Sequence, residues 1–291
     1  MEPGQFREWL TSPPGKRQPL VMGVLNMTPD SFSDGGKLAD VNAALAAAVE
    51  MADAGADLID IGGESTRPGS LPIGADEQVR RVVPVVEAIR EAGLPVTLSV
   101  DTTNAVVAST AIDAGAHLVN DISAGLDDPG LLSLVAQRGV PIVLMHMQGT
   151  PATMQLNPSY SDVTAEVVAF LRERAAAATR AGIEPRSILL DPGIGFGKNL
   201  QHNLQLLRDT SKLVAALAPH PVLIGSSRKG FIGKITGEAD PARREFGTAA
   251  TVAWSVANGA AVVRVHDVRA MVQVVRMVRA ITIGRAETEQ E

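Results

Sequence analysis

The chain has 291 residues, 45% of them hydrophobic and 20% charged, a composition that can bury a sizeable core and is not that of a disordered polymer. A formal net charge of -6 gives no electrostatic footprint for nucleic acid or for an anionic membrane surface, while leaving room for a local basic pocket. The absence of cysteine excludes disulfides, thiolate nucleophiles and Cys-ligated zinc.

Residues 1–18 hold prolines, glycines and a basic pair but no apolar run of the kind that starts a secretory signal, and are expected to form a loose lead-in. No later run reaches the roughly 18 apolar residues of a spanning helix, so a cytoplasmic protein without membrane segments is expected. From residue 19 to residue 284, short β-branched or Leu-rich runs alternate with Ala-rich stretches of helical period. Eight strands are expected, at residues 20–25, 58–61, 96–100, 117–121, 142–145, 188–190, 222–224 and 261–265. Helices are expected between them, for example over 43–54, 77–91, 164–181 and 246–257. Several end on Ala-Gly or Asn-Gly, at Gly55, Gly93, Gly115, Gly182 and Gly259, where glycine supplies a left-handed cap. Residues 285–291 read as a solvated acidic tail.

Strand-helix alternation without a composition break predicts a single (β/α)8 barrel with parallel strands, an open doubly wound sheet being the alternative. In such barrels chemistry sits at the C-terminal strand ends. Those positions hold Asn26, then Glu64 with Ser65 and Thr66, Asp101 with Thr102, Asn120 with Asp121, His146, Asp191, Ser226 to Lys229, and Arg264 with His266. Acceptors dominate strands two to six and cations the last two. A flat heterocycle with an N–H edge needs buried carboxylate and amide acceptors, whereas a phosphate needs Arg, Lys or protonated His. The expected ligand is therefore both heteroaromatic and anionic. The stretches NMTPDSFSDGG and GGESTRPG after strands one and two are long and Gly/Ser/Asp/Pro-rich, as lids are.

Other motifs are weaker. Gly193, Gly195 and Gly197 do not follow G-x-G-x-x-G, and Lys198 precedes Asn199 rather than Ser or Thr, so neither a dinucleotide site nor a P-loop is expected. These glycines read instead as flexibility beside the ring, with Phe196 in the pocket. His117, His202 and His220 read as structural, His146, which ends a strand, as structural with a rim position as the alternative, and Arg228 as a solvated surface residue. No HExxH or clustered His/carboxylate spacing supports a tightly held zinc.

The stretches GVLNMTPDSFSDGG, DIGGESTRPG, SVDT, VNDIS, DPGIGFGK, IGSSRKGFIG and RVHDV, in this order from about Val21 to Val268, resemble the pterin-binding barrel enzymes and among them the dihydropteroate synthase family. The resemblance implies that Asp101, Asn120, Asp191 and Lys229 bind a pterin ring and that Arg264 stacks on it. It implies that Asn26, Thr66, Arg264 and His266 handle a diphosphate, with Asn26 on Mg2+. It further implies that Phe32, Ser33, Asp34, Thr66, Arg67, Pro68 and Ser227 surround p-aminobenzoate. Asp101, Lys229, Arg264 and His266 would carry an SN1-like alkyl transfer from dihydropterin diphosphate to p-aminobenzoate, in a homodimer. Three alternatives stay open: a pterin-dependent methyltransferase, a Schiff-base aldolase using Lys198 or Lys229, and a catalytically silent pterin-binding protein.

Overall fold

In the computed structural model, residues 1–27, 36–66 and 69–284 are described, with backbone alone at 36–39. Its strands are β1 (Leu20–Asn26), β2 (Leu58–Gly62), β3 (Thr97–Asp101), β4 (Leu118–Asp121), β5 (Ile142–Met145), β6 (Ile188–Asp191), β7 (Leu223–Ile224) and β8 (Val262–Val265). They are parallel, in the order β6-β5-β4-β3-β2-β1-β8-β7, and a parallel bridge from Leu190 to Val222 joins the last edge to the first. The sheet is thus a closed barrel, and the open doubly wound alternative falls. Closure pairs the edge strands, and because helices cover the outer face while side chains fill the interior, these short strands are apolar on both faces.

The helices are α1 (Pro3–Thr11), α2 (Gly36–Asp53), α3 (Ala75–Glu91), α4 (Ala105–Ala114), α5 (Leu131–Arg138), α6 (Val163–Arg180), α7 (Leu200–Arg208), α8 (Thr210–Leu217), α9 (Gly230–Thr236), α10 (Glu245–Ala257) and α11 (Val268–Ile283). The five glycine stops read from the sequence all have positive φ. The outward strand residues, such as Ile59, Val100, Ile142 and Val263, pack against the inner faces of the surrounding helices in one apolar cluster.

The inward residues form a separate cluster, in which Met22, Leu58, Leu118, Val143, Leu189 and Val262 meet Phe6, Trp9 and Leu10 of α1. The lead-in expected to be loose therefore contains a helix that closes the N-terminal end of the barrel. Phe6 and Trp9 stack at 5.7 Å, the Trp9 indole N–H donates to the Gln18 carbonyl at 2.8 Å, and the Arg17 guanidinium lies over the Trp9 ring. Burying each of these apolar side chains contributes about 1.5–3 kcal/mol. The sequence signal was present in Phe6, Trp9 and Leu10, spaced i, i+3, i+4 on one helical face.

Strand periodicity then sets the site. Side chains alternate across a strand, so a step of two along each run keeps a residue inside the barrel. From Met22, Leu58, Leu118, Leu189 and Val262 that step reaches Val24, Asp60, Asn120, Asp191 and Arg264, and apolar filling gives way to polar groups at the C-terminal end.

Candidate active site

Arg264 lies at the centre of the polar layer. Its Nε donates to Asp60 Oδ2 at 2.6 Å and its Nη2 to Asp101 Oδ2 at 2.9 Å, while Asn120 Nδ2 donates to the same Asp60 oxygen at 2.8 Å. Asp60 is fully buried and Asp101 nearly so. Burial and the neighbouring Asp60 charge push the Asp101 carboxyl up to about 7, against the pull of Arg264. The same carboxylates hold Arg264 firmly protonated despite its burial. Asp60 Oδ1 and, on the adjoining strand, Ser99 Oγ have no hydrogen-bond partner among the described residues.

Asp191 closes β6. Its Oδ1 accepts the Gly193 N–H at 2.7 Å, and burial raises its carboxyl to about 6 although that bond, Lys229, Lys198 and Arg264 all favour the anion. The turn that follows is fixed by steric demand. Gly193 (φ 67°) has no room for a Cβ, which would overlap the His146 carbonyl, and at Gly195 (φ 84°) a Cβ would lie 2.9 Å from Lys229 Cδ. The glycines expected to give flexibility therefore serve a single tight conformation. That conformation seats the Phe196 ring 3.8 Å from Lys229 Nζ, a cation-π contact. Burial and the charge of Arg264 lower Lys229 to about 8, with Asp191 and Asp101 opposing.

After β7, Ser226, Ser227, Arg228 and Lys229 turn into α9. Arg228 adopts a left-handed φ of 59°, held by its N–H on Thr248 Oγ1 at 3.1 Å and its carbonyl on Arg244 Nη1 at 3.0 Å. Ser227 Oγ sits 2.9 Å from His266 Nδ1 and accepts the His266 N–H. Asn26 ends β1, beside the open face of Gly62, where a Cβ would lie 3.4 Å from Asn26 Oδ1 and 3.5 Å from Asp101 Cβ.

A cleft of about 900 Å³ opens over these groups, lined among others by Asn26, Thr66, Phe196, Ser227, Lys229, Arg264 and His266. Arg228, Lys234 and Arg244 add further cationic lining, so the mouth can hold an anion. Ile122, Met145, Met154 and Phe196 form a small buried apolar cluster beside it. Asp101, Asn120 and Asp191 are buried below the cleft, with Asp191 Oδ2 3.9 Å from where a Cβ on the cleft-lining Gly225 would stand.

A family model described as pterin binding enzyme matches residues 22–266. A dihydropteroate synthase of Escherichia coli is 46% identical over 277 residues, covering 94% of this chain and 94% of that one. The chain belongs to the pterin-binding enzymes, and within them to the dihydropteroate synthase family. Solved dihydropteroate synthases agree in shape: one from Xanthomonas albilineans with 4-aminobenzoic acid superposes with a TM-score of 0.84 at 46% identity, covering 91% of this chain and 93% of that one. Another from the same organism, in complex with 7,8-dihydropteroate, gives a TM-score of 0.81 at 44% identity, with 91% and 94% covered.

Among the residues expected to act in this dihydropteroate synthase fold, Asn26, Thr66, Asp101, Asn120, Asp191, Ser227, Lys229, Arg264 and His266 converge at the C-terminal end of the barrel. Phe32, Ser33, Asp34, Arg67 and Pro68 lie outside the described residues, as does the 285–291 tail. Three readings change. Arg228, expected to be a solvated surface residue, is half-buried and lines the cleft, because Thr248 and Arg244 hold its backbone in the turn. For His146 the rim alternative falls: it is buried, its Nδ1 3.0 Å from Lys198 Nζ, and burial with the nearby Lys198 charge lowers it to about 3. Asp121 faces away from the cleft and organises its own turn, accepting from Ser123 N and Oγ at 2.8 and 2.7 Å. His117, His202 and His220 have structural partners, the Leu98 N–H, the Asn199 cap and the Pro185 carbonyl. Asp60, which pairs with Arg264 in the polar layer, was missed. For Asp60 the signal was its inward parity, as the one charge in the run LIDIG.

Proposed function

We propose that this dihydropteroate synthase joins 6-hydroxymethyl-7,8-dihydropterin diphosphate to p-aminobenzoate. The observation that carries the reading is the stacking of two opposite environments in one barrel mouth. Buried acceptors at Asp191, Asp101 and Asn120 suit the N–H edge of a pterin, and the Arg264 guanidinium with the His266 imidazole on the cleft wall suits its diphosphate. The relatives solved with 4-aminobenzoic acid and with 7,8-dihydropteroate support it.

In this reading Asp191 accepts from the exocyclic amine and ring N–H, Lys229 reaches the ring carbonyl, and the Phe196, Met145 and Ile122 side chains flank the ring plane. Arg264 leaves its ion pairs to stack on the ring or pair with the diphosphate. As the methylene C–O bond breaks, the electron pair leaves with diphosphate, whose charge Asn26, Arg264 and His266 offset. Asp101 offsets the positive charge left on the pterin-methylene unit, which makes the step SN1-like. The amine nitrogen of p-aminobenzoate bonds to that carbon and loses a proton. Thr66 and Ser227 sit on the cleft wall that p-aminobenzoate would occupy.

The donor set fits Mg2+ only as a substrate-borne ion. Among the described residues no cluster of acidic or His side chains could cage it, and Asn26 Oδ1, beside the space left by Gly62, is a single hard oxygen. Asn26 would hold it together with the diphosphate oxygens. When bound, the ion would neutralise part of the leaving-group charge. The proposed assembly is a homodimer, supported by Phe246, Ala250 and Trp254, which form an exposed apolar stripe along α10. No described helix is long and apolar enough to cross a membrane, which is consistent with the proposed cytoplasmic location.

The deciding experiment supplies the purified protein with dihydropterin diphosphate and Mg2+, with and without p-aminobenzoate. Diphosphate release that depends on the amine and matches dihydropteroate formed is the expected result. Pterin binding without product would refute the synthase reading.

A further inference from the structure

Glu64 follows β2 at the root of the stretch that carries Ser65 and Thr66 to the cleft wall. It has no part in the chemistry above, yet both its oxygens are engaged across that stretch. Oε1 accepts the Ile73 N–H at 3.0 Å, nine residues on, and Oε2 accepts Gln78 Nε2 at 2.9 Å. Gln78, buried on α3, passes the connection on: its Oε1 accepts Thr102 Oγ1 at 3.0 Å, just beyond Asp101. Gly63 makes the approach possible, since a Cβ there would lie 3.2 Å from Gln78 Cα, and Arg81 Nη1 ties the Gly63 carbonyl to the same helix at 3.0 Å.

We propose that Glu64 is a positioning residue for the aryl amine subsite: by clamping Ile73 and, through Gln78, Thr102, it fixes the backbone that presents Ser65 and Thr66 to the cleft. The clamp joins the strand ends of β2 and β3; none of its side-chain hydrogen bonds reaches the carboxylates or amide of the pterin acceptors Asp101, Asn120 and Asp191, and its one link to them is the backbone bond from the Thr102 N–H to the Asn120 carbonyl at 3.1 Å. Its loss should therefore act on the amine and spare the ring. This inference rests on the synthase reading above.

Glu64→Ala removes the acceptor of the Ile73 N–H and leaves Gln78 Nε2 only its long bond to the Ile73 carbonyl at 3.4 Å. The KM for p-aminobenzoate is expected to rise about tenfold, as the loss of a hydrogen bond to a charged group implies. The dissociation constant for 6-hydroxymethyl-7,8-dihydropterin lacking diphosphate should stay within about twofold, and amide exchange at Ile73 should quicken. Glu64→Gln is expected to rescue, because its amide can accept from Ile73 and donate to Gln78 Oε1, and a reversed Gln78 can donate to the Thr102 hydroxyl. Should the Glu64→Ala protein not fold, Gln78→Leu cuts the same chain one link away and is expected to raise the same KM.

An unchanged amine KM in the variants would overturn the proposal, as would an equal loss of pterin affinity, or a Gln variant as impaired as Ala. If the unmodified protein itself forms no dihydropteroate, the synthase reading fails first, and the exchange rate at Ile73 still tests the clamp.

Discussion

Replacing Arg264 by Met retains length and apolar volume but removes the cation that, among the described residues, pairs with both Asp60 and Asp101. Asp60 is 0% exposed and Asp101 9%, so neither can recover its solvation from water. Leaving a buried ion pair half empty costs about 3–5 kcal/mol. The pH dependence identifies the source. Arg264 draws the Asp101 carboxyl down to its value of about 7, so without Arg264 that carboxyl titrates higher still. A carboxyl raised above its unfolded value costs stability as pH rises through the window between the two. Unmodified protein stops losing stability from Asp101 near pH 7, whereas the variant continues, by up to about 1.4 kcal/mol per pH unit. Urea unfolding monitored by circular dichroism at pH 6 and pH 8.5 should show a destabilisation larger by about 1–2 kcal/mol at the higher pH. A loss below about 1 kcal/mol at both, or one that does not grow with pH, would refute the idea that Arg264 neutralises a buried carboxylate pair.

Affinity for the pterin ring should fall as pH drops through about 6, because burial raises Asp191 to that value and only its anion accepts two N–H donors. Calorimetry should find the ring affinity abolished in Asp191→Ala, while His266→Ala chiefly weakens the diphosphate form; unchanged affinity in both would sink these assignments. Trp9→Ala should cost about 3–5 kcal/mol in denaturant unfolding, since it opens the floor of the barrel. A cost near zero would mean that α1 does not close the core. Lys198, buried with Nζ on the Phe196 carbonyl at 2.9 Å, is lowered to about 7, chiefly by burial. A depressed lysine costs stability as pH falls from its unfolded value toward 7, so Lys198→Met should be most harmful near pH 10 and least near pH 7. A pH-independent difference in melting temperature would contradict that.

The sequence by itself determined most of the frame. The short β-branched or Leu-rich runs and the glycine stops specify eight strand-helix units, and because a barrel of parallel strands gathers its C-terminal strand ends at one mouth, the convergence there of Asp191, Lys229 and Arg264 was legible before any contact was known. Strand edges moved by only a residue or so, as β3 did to Thr97–Asp101, whereas the helix expected over 43–54 starts seven residues earlier, at Gly36. What tertiary structure alone decided are properties of position across the barrel. The fold of residues 3–11 as a floor depends on an open barrel end for Phe6, Trp9 and Leu10 to enter, and no local pattern announces that end. The pairing of Arg264 on β8 with Asp60 on β2 arises because closure places β8 beside β1, one strand away from β2. A rim position was open to His146 because it follows a strand; the tight turn after Asp191 buries it against Lys198. Strand ends can be read from a one-dimensional pattern, but whether an end faces solvent, a ligand or another strand's side chain is set by barrel closure and by the loops folded across its mouth.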